Sequence, residues 1–182
     1  MWQLKQGDID RLKNTQPPFL FLYEGDFNLL HEQIISTHVY KKYFELEGRR
    51  MTTPDGVFEE FRKKLNFPSY FGMNFNALND CLNDIGVLED DNFLLIVRDA
   101  EKLLDLHKED LLILLEILNE TAIQWAIPYY GNGKEWSHES IPFKIILQTS
   151  KAKNLEKFMR RRFRTFFWTG LNNIWNYSHD NL

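Results

Sequence analysis

The chain reads as an α/β protein built around a parallel sheet. Three observations predict this. Residues 93–97 (FLLIV) form a continuous apolar run with polar residues before it. That is the pattern of a strand buried on both faces. Two more strands read at 39–46 (VYKKYFEL) and 143–147 (FKIIL). Helical periodicity fills the gaps, so the order is strand, helix, helix, strand, helix, strand. Helical crossovers favour parallel strands joined by right-handed connections.

In chain order, residues 1–16 are polar, with Trp2 and Leu4 as candidate anchors. Pro17 and Pro18 punctuate, 19–23 (FLFLY) reads as a short strand, and 24–26 as a turn. A helix over 27–36 would place Phe27, Leu30, Ile34 and His31 on one side. This segment is expected to add an edge strand and a covering helix. After the strand at 39–46, Thr53 and Pro54 mark a helix start, with threonine as N-cap and proline at the first helical position. Val57, Phe58, Phe61 and Leu65 form its apolar stripe. Residues 107–126 read as a long helix, leucine and isoleucine nearly all round, with Glu116, Asn119 and Glu120 as its polar stripe. Residues 127–142 read as a loop carrying exposed aromatics. Residues 151–164 are amphipathic: Leu155, Phe158, Met159 and Phe163 recur at helical spacing against Lys153, Lys157, Arg160, Arg161 and Arg164.

A length of 182 residues with 43% hydrophobic content can bury one core, so a single decorated domain is expected. The net charge of −4 hides an asymmetry. Residues 151–182 hold seven Lys/Arg against two acids, a balance of +5, and residues 1–150 hold fifteen against twenty-four, a balance of −9. One cysteine excludes an internal disulfide and fits a reducing compartment. No stretch has the length and apolarity of a membrane span, and the first residues lack an apolar signal core. A cytoplasmic protein is expected. The five histidines are scattered without metal spacing, so no zinc site or other cofactor is implied.

The most informative stretch is 67–85 (FPSYFGMNFNALNDCLNDI). Phe67-Pro68 stops the preceding helix, because a residue before proline is pushed out of the α region. Gly72 offers a backbone free to take positive φ. Asn74 reads as the N-cap of a helix with two unlike sides. Phe75, Leu78, Cys81, Leu82 and Ile85 fall on one, and Asn76, Asn79, Asp80, Asn83 and Asp84 on the other. The polar side holds no lysine or arginine. Cys81 sits on the apolar side and reads as a small buried hydrophobe rather than a nucleophile.

That stretch resembles the barstar family of intracellular ribonuclease inhibitors. The matching residues are Phe67-Pro68-Ser69-Tyr70-Phe71-Gly72, then Asn74, then Ala77-Leu78-Asn79-Asp80-Cys81-Leu82. The order of elements also fits from about residue 39 to 150. The resemblance implies a three-stranded parallel sheet covered by helices, here with an added N-terminal edge strand and a C-terminal amphipathic helix. It divides the chain into an N-terminal extension (1–37), a barstar-like domain (38–150) and a basic aromatic extension (151–182). It implies a protein that is not an enzyme but plugs a basic ribonuclease, as an immunity protein does. Carried over by position, the central inhibitory carboxylate falls on Asp80 and an aromatic contact on Tyr70. A second acidic contact falls on Asn76, neutral here, and a further one on Glu120. Two family tryptophans fall on Asn79 and Ile85. The partner-binding set is then Tyr70, Phe71, Gly72, Asn76, Asn79, Asp80, Asp84 and Glu120.

The residues support this chemistry. A ribonuclease active site is cationic because it holds a phosphodiester. Fixed carboxylates on a rigid, convex helix can bond its arginines and lysines, and an acidic body steers such a partner. On composition alone, a run of charge is more often a solvated helix face. Two other classes stay open. The basic aromatic tail suits nucleic-acid binding through Lys153, Lys157, Arg160, Arg161 and Arg164. A small hydrolase could use His138 and Glu139, which requires a deep pocket gathering both.

Overall fold

The computed structural model describes residues 6–40, 43–84, 92–130, 138–151, 155, 157 and 169–170. Its elements run α1 (Gln6–Lys13), β1 (Leu20–Glu24), α2 (Phe27–Thr37), β2 (Tyr43–Glu47), α3 (Pro54–Lys64), α4 (Phe75–Leu82), β3 (Phe93–Arg98), α5 (Lys108–Ala126), β4 (Phe143–Thr149) and the two-residue β5 (Thr169–Gly170). Short 3-10 turns follow β2 and β3 at Gly48–Arg50 and Ala100–Lys102.

The sheet is parallel throughout, in the order β2-β3-β4-β1-β5. It has four full strands, not the three that the family resemblance implies, because β1 pairs with β4 from Leu20↔Ile145 to Glu24↔Thr149. β1 is also not outermost, since Phe21 and Leu22 pair with Thr169 and Gly170. As expected of a central strand, Phe93 to Val97 are all buried.

Strand residues alternate between two cores, one on each face. Leu46, Phe93, Leu95, Val97, Phe143, Ile145 and Leu147 point to the face covered by α3, α4 and α5. Phe21, Tyr23, Leu94, Ile96 and Ile146 point to the other, where Leu12 of α1 and Leu30 and Ile34 of α2 close the layer. α1 does not follow from the polar reading of residues 1–16. Its eight residues bury only Leu12 and Asp8, too little to show as a periodic stripe. Trp2 and Leu4 lie outside the described residues. So does most of 151–164, although Leu155 and Lys157 are helical, the first buried in the α3–α4–α5 core and the second exposed.

Local signals set the helix starts. The Thr53 hydroxyl accepts from Gly56 N–H at 3.3 Å, with Pro54 at the first helical position. On α5, two readings change. His107 is the N-cap residue, and Asn119 is buried rather than part of an exposed polar stripe. No helix among the described residues is long and apolar enough to cross a membrane.

Candidate functional site

The site begins with a loop nailed down on one side. Asn66 ends α3 at φ 55°, and the Phe67 N–H donates to Arg62 O at 3.0 Å. Phe67 and Phe71 then turn inward, their ring centroids 5.1 Å apart in an edge contact. Phe58 lies 6.4 Å from Phe71 and 5.0 Å from Phe75, so one ring of α3 holds both the loop and the start of α4. With Phe67 and Phe71 buried, Tyr70 between them is 77% exposed. Phe71 therefore offers its ring to the core, and it acts on the site by holding Tyr70 outward.

The turn into α4 uses a different residue from the one expected. Met73, not Gly72, takes the left-handed conformation, at φ 49°. Gly72 is needed for close approach, since a Cβ there would come within 3.2 Å of Asn74 Nδ2 and 3.3 Å of Ala77 Cβ. The Asn74 side chain works in both directions. Its Oδ1 accepts from Ala77 N–H at 2.9 Å, and its Nδ2 donates to Gly72 O at 2.9 Å. Such a cap contributes about 1 kcal/mol.

α4 buries Leu78, Cys81 and Leu82. Each fully buried leucine contributes about 1.5–3 kcal/mol, so this stripe fixes which side faces outward. Two bonds fix the helix end on α5. Trp125 Nε1 donates to Leu82 O at 3.0 Å, and Asn83 Nδ2 reaches Thr121 Oγ1 at 3.5 Å. Burial pushes the Cys81 thiol up, with Asp84 and Asp80 adding to the effect, so it is a poor nucleophile.

Asn76 and Asp80 lie exposed on the outer side, with Asn79 half-buried between them. Among the described residues no lysine or arginine pairs with Asp80. Two members of the expected row change place. The helix ends at Leu82, because the Asn83 side chain folds back to Asn79 O at 2.8 Å. Asn83 thus turns inward, and Asp84 is exposed on the exit rather than on the helix. Ile85 lies outside the described residues. Glu120 is exposed on α5, next to the buried Thr121 that meets Asn83.

The charge arrangement opposes helix stability. Asp80 sits in the last turn of α4, where the last turn holds no basic residue. A carboxylate at the negative end of a helix dipole costs about 0.3–1 kcal/mol, and a cation placed there offsets it.

The other candidates fare differently. His138 pairs with Tyr129 in an isolated bridge, its ring 4.7 Å from the Trp125 ring. Glu139 is exposed and accepts from the Tyr130 hydroxyl at 3.2 Å. Lys153, Arg160, Arg161 and Arg164 lie outside the described residues, and Lys157 is exposed.

What fold and site define is an α/β domain whose helix α4 presents Asn76 and Asp80 outward, with no lysine or arginine paired to Asp80 among the described residues, beside an exposed tyrosine. The chain belongs to the barstar family: the family model described as "Barstar (barnase inhibitor)" matches residues 41–148, more than half of it. No curated protein matches the chain. Among solved structures, a chain from the "Structure of Drosophila ORC bound to AT-rich DNA and Cdc6" superposes with a TM-score of 0.44 at 11% identity. That match covers 94% of this chain and 52% of the other, so this chain spans about half its length.

Proposed function

We propose that this protein is a stoichiometric inhibitor of a basic ribonuclease, acting as an immunity protein, and that the outer side of α4 is its plug. The observation that carries this is Asp80: exposed, on a rigid helix, in a chain of a family named for ribonuclease inhibition, and with no cation of its own among the described residues. Asp80 enters the cationic cleft and bonds the groups that otherwise hold the scissile phosphate. Asn76 and Asn79 add neutral acceptors, Asp84 a second carboxylate, and Tyr70 a flat contact from the loop. Glu120 on α5 borders the same region. Access to RNA is blocked sterically and electrostatically, without turnover and without a cofactor.

The partner is a ribonuclease whose cleft accepts asparagine at two positions where the family carries other side chains. A pull-down from native cells, followed by ribonuclease assay of the captured protein, identifies it. Titration of that enzyme with this chain is expected to end at one-to-one. The Asp80→Ala variant should bind far more weakly. Undiminished inhibition by that variant removes α4 as the plug.

A further inference from the structure

Exposed apolar side chains are not spread evenly over this protein. Among the described residues eight large ones are exposed, and four of them, Ile123, Ile127, Tyr129 and Tyr130, fall within 123–130. A helix that is apolar all round belongs in a buried setting. α5 gives one side to the core through Leu114, Leu118 and Trp125. Ile123 and, at the C-cap, Ile127 stand on the solvent side, and Ile127 is 59% exposed. Clustered apolar exposure of this kind marks a contact surface.

The patch is held in place before anything binds. Tyr129 and His138 exchange backbone bonds at 3.0 and 2.9 Å, and the His138 ring lies 4.7 Å from the buried Trp125 ring. The Ile141 N–H donates to Trp125 O at 2.8 Å. Tyr130 is 69% exposed, and its hydroxyl donates to Glu139 at 3.2 Å. Tyrosines lose little conformational freedom on contact, and a fixed backbone lowers that cost further.

Place and charge select the occupant. Trp125 Nε1 donates to Leu82 O at 3.0 Å, so the patch is fastened to the end of α4, two residues beyond Asp80. Between 109 and 142 the described residues hold five acids, Glu109, Asp110, Glu116, Glu120 and Glu139, and no lysine or arginine. Such a surround repels an acidic partner and admits a basic one.

We infer that Ile123, Ile127, Tyr129 and Tyr130 form a second contact for the basic ribonuclease, at the rim of the cleft that Asp80 enters. This rests on the inhibitory reading of α4 and adds to it: Asp80 supplies charge, and the patch supplies apolar area.

Binding kinetics of the full chain with the captured ribonuclease test it. Ile127→Ala/Tyr130→Ala should weaken binding about tenfold through faster dissociation, with the association rate unchanged because no charge is removed. Its melting temperature should stay level, since both side chains are exposed. Ile123→Lys and Ile123→Glu remove the same side chain and read the sign of the partner. Lysine should cost about tenfold more affinity than glutamate. Parent affinity in the double variant overturns the inference, as does glutamate costing as much as lysine. Asp80→Ala separates the two readings. Loss in Asp80→Ala alone keeps α4 as the plug and discards the patch. Loss in the double variant alone keeps the patch as a contact and discards Asp80 as the plug. Loss in neither, or capture of no ribonuclease, discards both. A dimer of the free chain that the double variant abolishes would give the patch to a second copy and overturns the inference too.

Discussion

On the face covered by α3, α4 and α5, the strand residues from Leu46 through Phe93 and Val97 to Leu147 are apolar, and the one buried polar residue of β4 in their alternation, Thr149, sits at the strand end with its hydroxyl donating to Glu101 at 2.7 Å. On the face under α1 and α2 the same strands also carry Glu45, Arg98, Lys144 and Gln148. Lys144 is fully buried, and its ammonium donates to Gln16 O at 2.6 Å and Pro18 O at 3.0 Å. Asn14 Oδ1 is a third acceptor at 3.5 Å. Glu45 lies 3.1 Å from His31 Nε2 on α2, and the Tyr40 hydroxyl donates to Leu12 O. The contrast is one of degree. The first face holds its helices mainly by area, which is non-directional, with a few bonds such as Trp125 Nε1 to Leu82 O and Glu47 N–H to the buried Glu60. The second ties the N-terminal segment down with a few directional bonds, each of which needs its own partner in place.

If that contrast is right, the largest effect should fall on binding and spare the fold. Asp80→Ala is expected to cost about 4 kcal/mol in the proposed complex with a ribonuclease, roughly a thousandfold in Kd. Its melting temperature should stay level or rise slightly, since a carboxylate leaves the negative end of a helix. Calorimetric titration and thermal unfolding read the two effects separately. Next comes a change behind the plug. Leu82→Ala leaves a cavity between α4 and α5 and should cost about 2–5 kcal/mol of stability in urea unfolding.

The second face should announce itself through pH. Burial pushes the Lys144 ammonium down to about 7. In the unfolded chain a lysine stays charged to about pH 10.4. Between those values the unfolded state binds the extra proton, so stability rises with pH, by up to about 1.4 kcal/mol per unit. The two short bonds to carbonyls favour the charged form and shrink that slope. Lys144→Met should flatten the rise between pH 7 and 10 relative to the parent chain, and an unchanged slope would deny the lysine this role. The smallest effect is expected at the cap: Asn74→Ala should lose about 1 kcal/mol, and Asn74→Asp almost nothing.

Much of the first face is legible along the chain. Apolar runs mark β3 and β4, a threonine–proline pair marks α3, and an asparagine cap followed by a two-sided helix marks α4. These signals are local, spanning a turn or a strand. Tyr70 and Asp80 come from the same stretch and stand exposed. What fails is whatever depends on a neighbour distant in sequence. Asp84 keeps helical spacing from Asp80, yet Asn83 folds back on Asn79 and meets Thr121, and the helix stops short of it. Asn119 looks polar and outward but is buried. Phe71 looks available beside Tyr70 but completes an aromatic cluster with Phe58 and Phe67.

Read alone, the sequence determined the class of the fold, the family and the helix that carries the acidic face, because hydrophobic period and capping chemistry are written within a few residues of each other. Only the tertiary structure decided that β1 lies beside β4 and inside the sheet edge, that Lys144 is held by the loop before β1, and that the ends of four separated strands meet in a charged cleft. Those outcomes depend on which side chains are brought together across more than a hundred residues of chain, as from Gln16 to Lys144, and no local pattern encodes that pairing.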